Sequence, residues 1–281
     1  MMNNDFDNLK SMNIAVHDKN VKYLKDVIMN EKKFQALRVS ISASCYTFSK
    51  LVNTFVKLGN LKGLKLYDPT TRLPIGDLIK PFPYLEDLQI EFGPFQGRIN
   101  IYELLLPLKN LRFLKVGLLG EIPQVPTSEM LVALETCYIH SSIITSELPV
   151  LPKLKTIGFY HNFCQPSNIS LNWILNHATT LEKVSFWVDG LNKSNIFEII
   201  KKCTLLREFR LKNEIESFIT KEFVEQINSI LKGNGYTSEN PLDLVLCGKS
   251  YERVKQIIGG QRYDCIYFLC SLWYYDEIEK K

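Results

Sequence analysis

One apolar pattern recurs along most of this chain and leaves few folds open to it. With apolar residues at its first, fourth and sixth positions, it fits Phe34-Leu37-Val39, Leu61-Leu64-Leu66, Leu85-Leu88-Ile90 and Leu111-Leu114-Val116. It continues at Leu134-Cys137-Ile139, Leu154-Ile157-Phe159, Leu181-Val184-Phe186 and Leu206-Phe209-Leu211. Successive starts are separated by 27, 24, 26, 23, 20, 27 and 25 residues. Apolar residues define this register, so the positions between them test it. The second position reads Gln35, Lys62, Glu86, Arg112, Glu135, Lys155, Glu182 and Arg207, polar in all eight. Of the sixteen third and fifth positions, only Ala36, Phe113 and Tyr138 are hydrophobic, against 46% of the whole chain. Such alternation is the period of a strand with one buried face. Eight unrelated strands would not share a spacing, so a single unit is being repeated.

The segments between these strands read as short helices. Residues 195–203 follow Ser194, an N-cap candidate, and carry Ile196, Ile199 and Ile200 on one side. Residues 221–232 follow Thr220, with Phe223, Ile227, Ile230 and Leu231 as the apolar stripe and Gly233 as the left-handed residue that ends it. Similar patterns lie at 46–58, 128–134 and 171–177, whereas 147–152, with two prolines, predicts an irregular connection. A strand and a helix in about 25 residues match the leucine-rich repeat, whose period is about 20–29 residues. The expected fold is an α/β leucine-rich-repeat solenoid, a horseshoe with a concave parallel β-sheet and helices on the convex side. Residues 1–33 are expected to form an N-terminal helical cap, with a helix at 20–31, and residues 34–281 the repeat domain. Clear repeats span 34–212, and 213–281 hold degenerate repeats and a C-terminal cap. Two further strands are predicted at Pro241-Leu244-Leu246 and Tyr263-Ile266-Phe268, with a helix at 254–258 between them. The apolar segment 263–275 reads as the cap or as a partner-binding tail.

The phrases NLKGLKL, YLEDLQI, NLRFLKV and TLEKVSF, within residues 34–212, resemble the degenerate repeats of F-box and leucine-rich-repeat proteins. Those are substrate receptors of cullin ubiquitin ligases, so the resemblance implies substrate recognition and ubiquitin-ligase components as partners. An F-box is a helical segment of about 40–50 residues in that family. The 33 residues ahead of the first repeat contain no recognisable one.

Composition narrows the function classes. The net charge of +4, from 34 basic and 30 acidic residues, is too mild to predict nucleic-acid binding or an acidic membrane surface. The first residues, MMNNDFDNLK, lack the basic-then-apolar order of a secretory signal, and no apolar run approaches the roughly 20 residues of a membrane span. Seven scattered cysteines predict reduced thiols and a cytosolic or nuclear protein. The sequons at Asn168 and Asn192 carry no meaning without secretion.

The pattern also names a binding face. Side chains at the third, fifth and seventh positions point away from the core, onto the concave side. The seventh column reads Ser40, Tyr67, Glu91, Gly117, His140, Tyr160, Trp187 and Lys212. His140, Tyr160 and Trp187, with Tyr138 beside them, predict an exposed aromatic cluster on successive strands about 4.8 Å apart. Rigid rings of this kind anchor protein interfaces. The fifth column adds Arg38, Lys65, Lys115 and Arg210, interrupted by Gln89, while Asp87 and Glu91 form an acidic patch. The predicted protein-binding residues are Tyr67, Phe113, Tyr138, His140, Tyr160, Trp187 and Arg210. The resulting expectation is a non-catalytic module that binds a protein partner; a repeat domain regulating a GTPase or another enzyme, or a structural scaffold, is the alternative.

No motif predicts catalysis, a metal or a cofactor. His17, His140, His161 and His177 have no recognisable catalytic context, and no serine sits in a nucleophile elbow. Cys137 reads as a small core hydrophobe. Cys265 and Cys270, five apart on a predicted strand, would face opposite ways and lack partners for a zinc site. Gly233-Asn234-Gly235 follows a helix, whereas a phosphate loop precedes one, so it predicts a helix-ending turn.

Overall fold

Leucines at the first, fourth and sixth positions can leave water together only if each strand lies beside the next in parallel. The computed structural model has this arrangement. It describes residues 11–17, 19, 36–42, 61–68, 79, 82–92, 105, 107–122, 131–144, 150–160, 168–187, 191–211 and 215–271. The chain divides into two units, Met1–Lys153 and Leu154–Lys281.

In the first unit, strands β1 (Ser11–His17), β2 (Ala36–Ser42), β3 (Leu61–Asp68), β4 (Asp87–Phe92), β5 (Phe113–Ile122) and β6 (Thr136–Ile144) pair in chain order, all parallel. The second unit runs β7 (Thr156–Tyr160), α1 (Asn168–Asn176), β8 (Lys183–Trp187), α2 (Lys193–Lys202), β9 (Glu208–Leu211), α3 (Lys221–Gly233), β10 (Leu242–Cys247), α4 (Gly248–Ile258) and β11 (Ile266–Ser271). Its five strands are likewise parallel neighbours in chain order. The fold is therefore α/β, with parallel strands that helical segments join in the second unit.

The repeat positions coincide with the core. Leu64, Leu85, Leu88, Ile90, Leu114, Cys137, Ile157, Val184 and Phe209 are each no more than 3% exposed. A further apolar position lies three residues before the first leucine. Phe82, Leu108, Leu131 and Cys203 are buried there, and each accepts the N–H of that leucine through its carbonyl, at 3.2, 3.2, 3.0 and 3.2 Å. This tight turn feeds the chain into the strand from below the sheet.

Register follows the repeat in the middle of each unit and slips at its outer end. Leu64, Leu88, Leu114 and Cys137 align across β3 to β6, as do Ile157, Val184, Phe209 and Leu244 across β7 to β10. At β2–β3, however, Ile41 rather than Val39 lies opposite Leu66. At β10–β11, Phe268 rather than Ile266 lies opposite Leu244. Past an irregularity between Leu37 and Arg38, both slips are of two residues, an even offset that keeps the paired side chains on their own faces.

Strand β1 extends the array ahead of the first repeat read from the sequence. Leu9-Met12-Ile14 obeys the same spacing, 25 residues before Phe34. The described part of residues 1–33 is thus mainly a strand. The helices expected at 20–31 and 46–58 lie outside the described residues.

Two helix ends differ from the sequence reading. The N-cap of α2 is Asn192, not Ser194: its side chain accepts from Asn195 N–H at 2.9 Å, and Asn195 returns a bond to Asn192 N–H at 3.2 Å. This reciprocal pair satisfies two otherwise open donors. Thr220 caps α3 as expected, accepting from Phe223 N–H at 3.2 Å. Gly233 remains helical, and the left-handed residue is Gly235, at φ 86°.

The end of α3 then locks onto the preceding repeat. Asn234 Nδ2 donates to the Ile200 carbonyl at 2.9 Å, closing the C-terminus of α2. The buried Tyr236 hydroxyl donates to the Leu206 carbonyl at 2.6 Å. Burial, helped by the nearby Cys203, pushes this phenol up to about 12. Tyr236→Phe is expected to destabilise the chain by about 1–2 kcal/mol, since it leaves the buried Leu206 carbonyl short of a donor. Urea denaturation of the two proteins measures the difference.

Candidate functional site

The third and fifth residues of each repeat occupy the sheet face opposite the buried leucines within each of the two units. In the first unit, parallel register brings Gln89, Lys115 and Tyr138 side by side, with Asp87 aligned to Phe113. The Phe113 and Tyr138 rings lie 5.8 Å apart at an interplanar angle of 55°. Both remain partly exposed, whereas Lys115, two residues after Phe113 on β5 and opposite Tyr138, is only 4% exposed. Gln89 Nε2 donates to Asp87 at 3.3 Å, and the Gln89 Oε1 atom is buried with no hydrogen-bond partner among the described residues.

In the second unit the same face is ionic. Arg210 Nε lies 2.5 Å from Glu208, and Lys183 Nζ lies 3.5 Å from the same carboxylate. Burial opposes the charge on Glu208, but Arg210 and then Lys183 outweigh it and hold the carboxyl below its ordinary range. Asp243, aligned with Glu208 on the next strand, moves the other way. Partial burial and then repulsion from Glu208 raise it, against the pull of Lys183. Ser185, between the Lys183 and Trp187 positions, is only 3% exposed.

The residues singled out from the sequence are distributed as follows. Phe113 and Tyr138 meet in the first unit. Tyr67 aligns with Glu91 on β4, and His140 with Gly117 on β5; the side chains of Tyr67 and His140 lie outside the described part. Tyr160 and Trp187 are register neighbours in the second unit; Tyr160 is partly buried, and the Trp187 side chain lies outside the described part. Arg210 aligns with Ser185 and Val245. Tyr138 and His140 lie on β6, at the end of the first unit, and Tyr160 and Trp187 on β7 and β8 of the second. Phe113, Tyr138 and Tyr160 are partly buried rather than fully exposed, because neighbouring parallel strands flank each side chain at about 4.8 Å. Sequence reasoning did not single out Lys183, Glu208 and Asp243. Their common third position in successive repeats was the available signal.

Titratable groups in the core are held in their neutral forms. Burial pushes the thiols of Cys137 and Cys203 up to about 12, the second despite the nearby Lys202. Cys265 donates to the Tyr236 carbonyl at 3.1 Å. His177, 2% exposed, meets the Trp173 carbonyl through Nδ1 at 2.7 Å and packs edge-on to that indole at 5.3 Å. Among the described residues, no three His, Cys, Asp or Glu side chains are grouped to hold a metal ion. Nor is any described helix long and apolar enough to cross a membrane.

No protein-family model matches this sequence, and the search of curated proteins finds no relative.

Burial lowers the His177 pKa below its ordinary value of 6.5, outweighing the bond to Trp173. The folded chain therefore takes up this proton less readily than the unfolded chain. The contribution is complete above the unfolded value and is lost as pH falls through the folded one. Thermal unfolding between pH 7.5 and 5 is expected to show a falling midpoint, and His177→Asn a flatter dependence.

Proposed function

We propose that this chain is a leucine-rich-repeat module that binds a partner protein on the sheet face opposite its buried leucines. One observation carries the reading: the repeat that seals one face leaves Phe113, Lys115 and Tyr138 side by side on the other. Two partly exposed rings held by packed strands present apolar area with little rotamer entropy to lose, which suits an interface anchor. Asp87, aligned with Phe113, adds a polar neighbour to the rings, which suits protein contact better than tracking of a phosphate backbone. The patch of Lys183, Glu208, Arg210 and Asp243 supports the same reading in the second unit. Resemblance to the repeats of F-box and leucine-rich-repeat proteins makes ubiquitin-ligase components and their substrates the first partners to test.

A photo-crosslinking residue placed at Tyr138 is expected to capture a discrete protein in cells, whereas the same residue at Glu225, exposed on α3, captures none. Equal labelling from both positions, or none from either, overturns the reading. Once a partner is in hand, Phe113→Ala and Tyr138→Ala are each expected to weaken it by about 1–2 kcal/mol. The unfolding midpoint is expected to change little, because neither ring is part of the sealed core.

A further inference from the structure

Strand β11 is the last in the second unit's sheet, and among the described residues it pairs only with β10. The Leu242 N–H donates to the Cys265 carbonyl at 2.9 Å, so the odd-numbered residues of β11 turn their backbone groups towards β10. By strand alternation, Phe268 and Cys270 direct N–H and C=O to the outer edge. Edges of this kind are templates for a further strand.

Both faces beside this edge offer a seat for side chains. On one face, Tyr267 and Leu269 are 53% and 43% exposed, next to Val245, which is 8% exposed. On the other, a cavity of about 510 Å³ opens between β11 and α4. Its apolar wall comes from Tyr251, Val254 and Ile258, at helical spacing on α4, and from Phe268. Lys255 and Arg262 line it as well, both exposed. Among the described residues, no ion pair engages either cation, and Asp264 is the one carboxylate of the lining. The volume is that of a ligand-sized pocket.

We infer that β11 is a second docking site, at which an extended peptide of a partner protein adds as a strand. One face of that peptide places an apolar ring in the α4 cavity and a carboxylate against Lys255 or Arg262. The other face lays aliphatic side chains on Tyr267 and Leu269. Backbone hydrogen bonds to Phe268 and Cys270 give the affinity, and the alternating pockets give the selectivity. This site differs from the opposite-face anchor of Phe113 and Tyr138, which lie on β5 and β6.

The probe is a fluorescein-labelled peptide, Lys-Val-Phe-Val-Glu-Val-Glu, titrated into the full chain and followed by anisotropy. Saturable binding is expected, weakened about tenfold by Cys270→Pro, which deletes one outward N–H and leaves the ladder to β10 intact. Cys270→Ala, which keeps the N–H, is expected to bind as the parent does. Lys255→Glu combined with Arg262→Glu is expected to reverse the preference towards a peptide with lysine in place of glutamate. No saturable binding, or equal binding by the proline and alanine variants, overturns the assignment. Self-association abolished by Cys270→Pro, with no peptide binding, overturns it in favour of a second copy of the chain. Tyr138→Ala is expected to leave the titration unchanged, so failure here is separable from failure of the opposite-face interface.

Discussion

Where a strand enters the sheet, the carbonyl at its second repeat position accepts the N–H of the same position one repeat later. Lys62, Glu86 and Arg112 accept in this way from Glu86, Arg112 and Glu135 at 2.8, 2.8 and 2.9 Å. Lys155 and Glu182 accept from Glu182 and Arg207 at 2.8 and 2.7 Å, while Arg207 accepts from Asp243, one position further into its repeat, at 2.9 Å. These bonds fix where each strand starts against its neighbour, and the period of two then decides every later side chain. A slip of one residue would carry Leu88, Leu114 and Cys137 into water, so burial of those residues holds the register as firmly as the bonds do. No repeat can seal its own apolar face, which makes each stable only between neighbours.

The side chains at that second position add a specific preference. Their charges alternate along the chain: Lys62, Glu86, Arg112, Glu135, Lys155, Glu182, Arg207. Lys62 pairs with Glu86, Arg112 with Glu135 at 2.9 Å, and Lys155 with Glu182 at 3.1 Å. Exposed pairs of this kind contribute only about 0.2–1 kcal/mol each. Their larger effect is on alternatives, because pairing a repeat with its second neighbour would set like charges together. Mixed charge thus supports the strand order that the leucines alone, being nearly alike, would leave degenerate.

Sealing one face this thoroughly has a consequence for the other. Side chains there are held by strands that cannot rotate or slip, so Phe113 and Tyr138 stand rigidly even though they stay partly exposed. Among the described residues the stacking stops at β11, with an apolar wall on α4 and an outward row of backbone groups beside it. An interface on the face and one on the edge would therefore arise from the same cause. Both are surfaces that the repeat can present but cannot bury by itself.

Much of this fold was legible without coordinates, because apolar and polar residues alternate at a fixed spacing. The strands at Leu61, Leu85, Leu111, Leu134, Leu154, Leu181 and Leu206, their parallel order and their buried positions all follow from it. So do the degenerate strands β10 and β11. Local chemistry was less decisive at helix ends. Ser194 and Asn192 are both good caps, and only the reciprocal bond with Asn195 selects the second. The candidate site was legible as a column of residue types and no further. Periodicity says which face a side chain takes, but register between strands says which neighbour it meets, and that depends on contacts far apart in the chain. Hence the sequence determined a repeated parallel strand with one buried face. Only the tertiary structure decided that Phe113 meets Tyr138, that Lys183 and Arg210 converge on Glu208, and that a cavity opens beside β11.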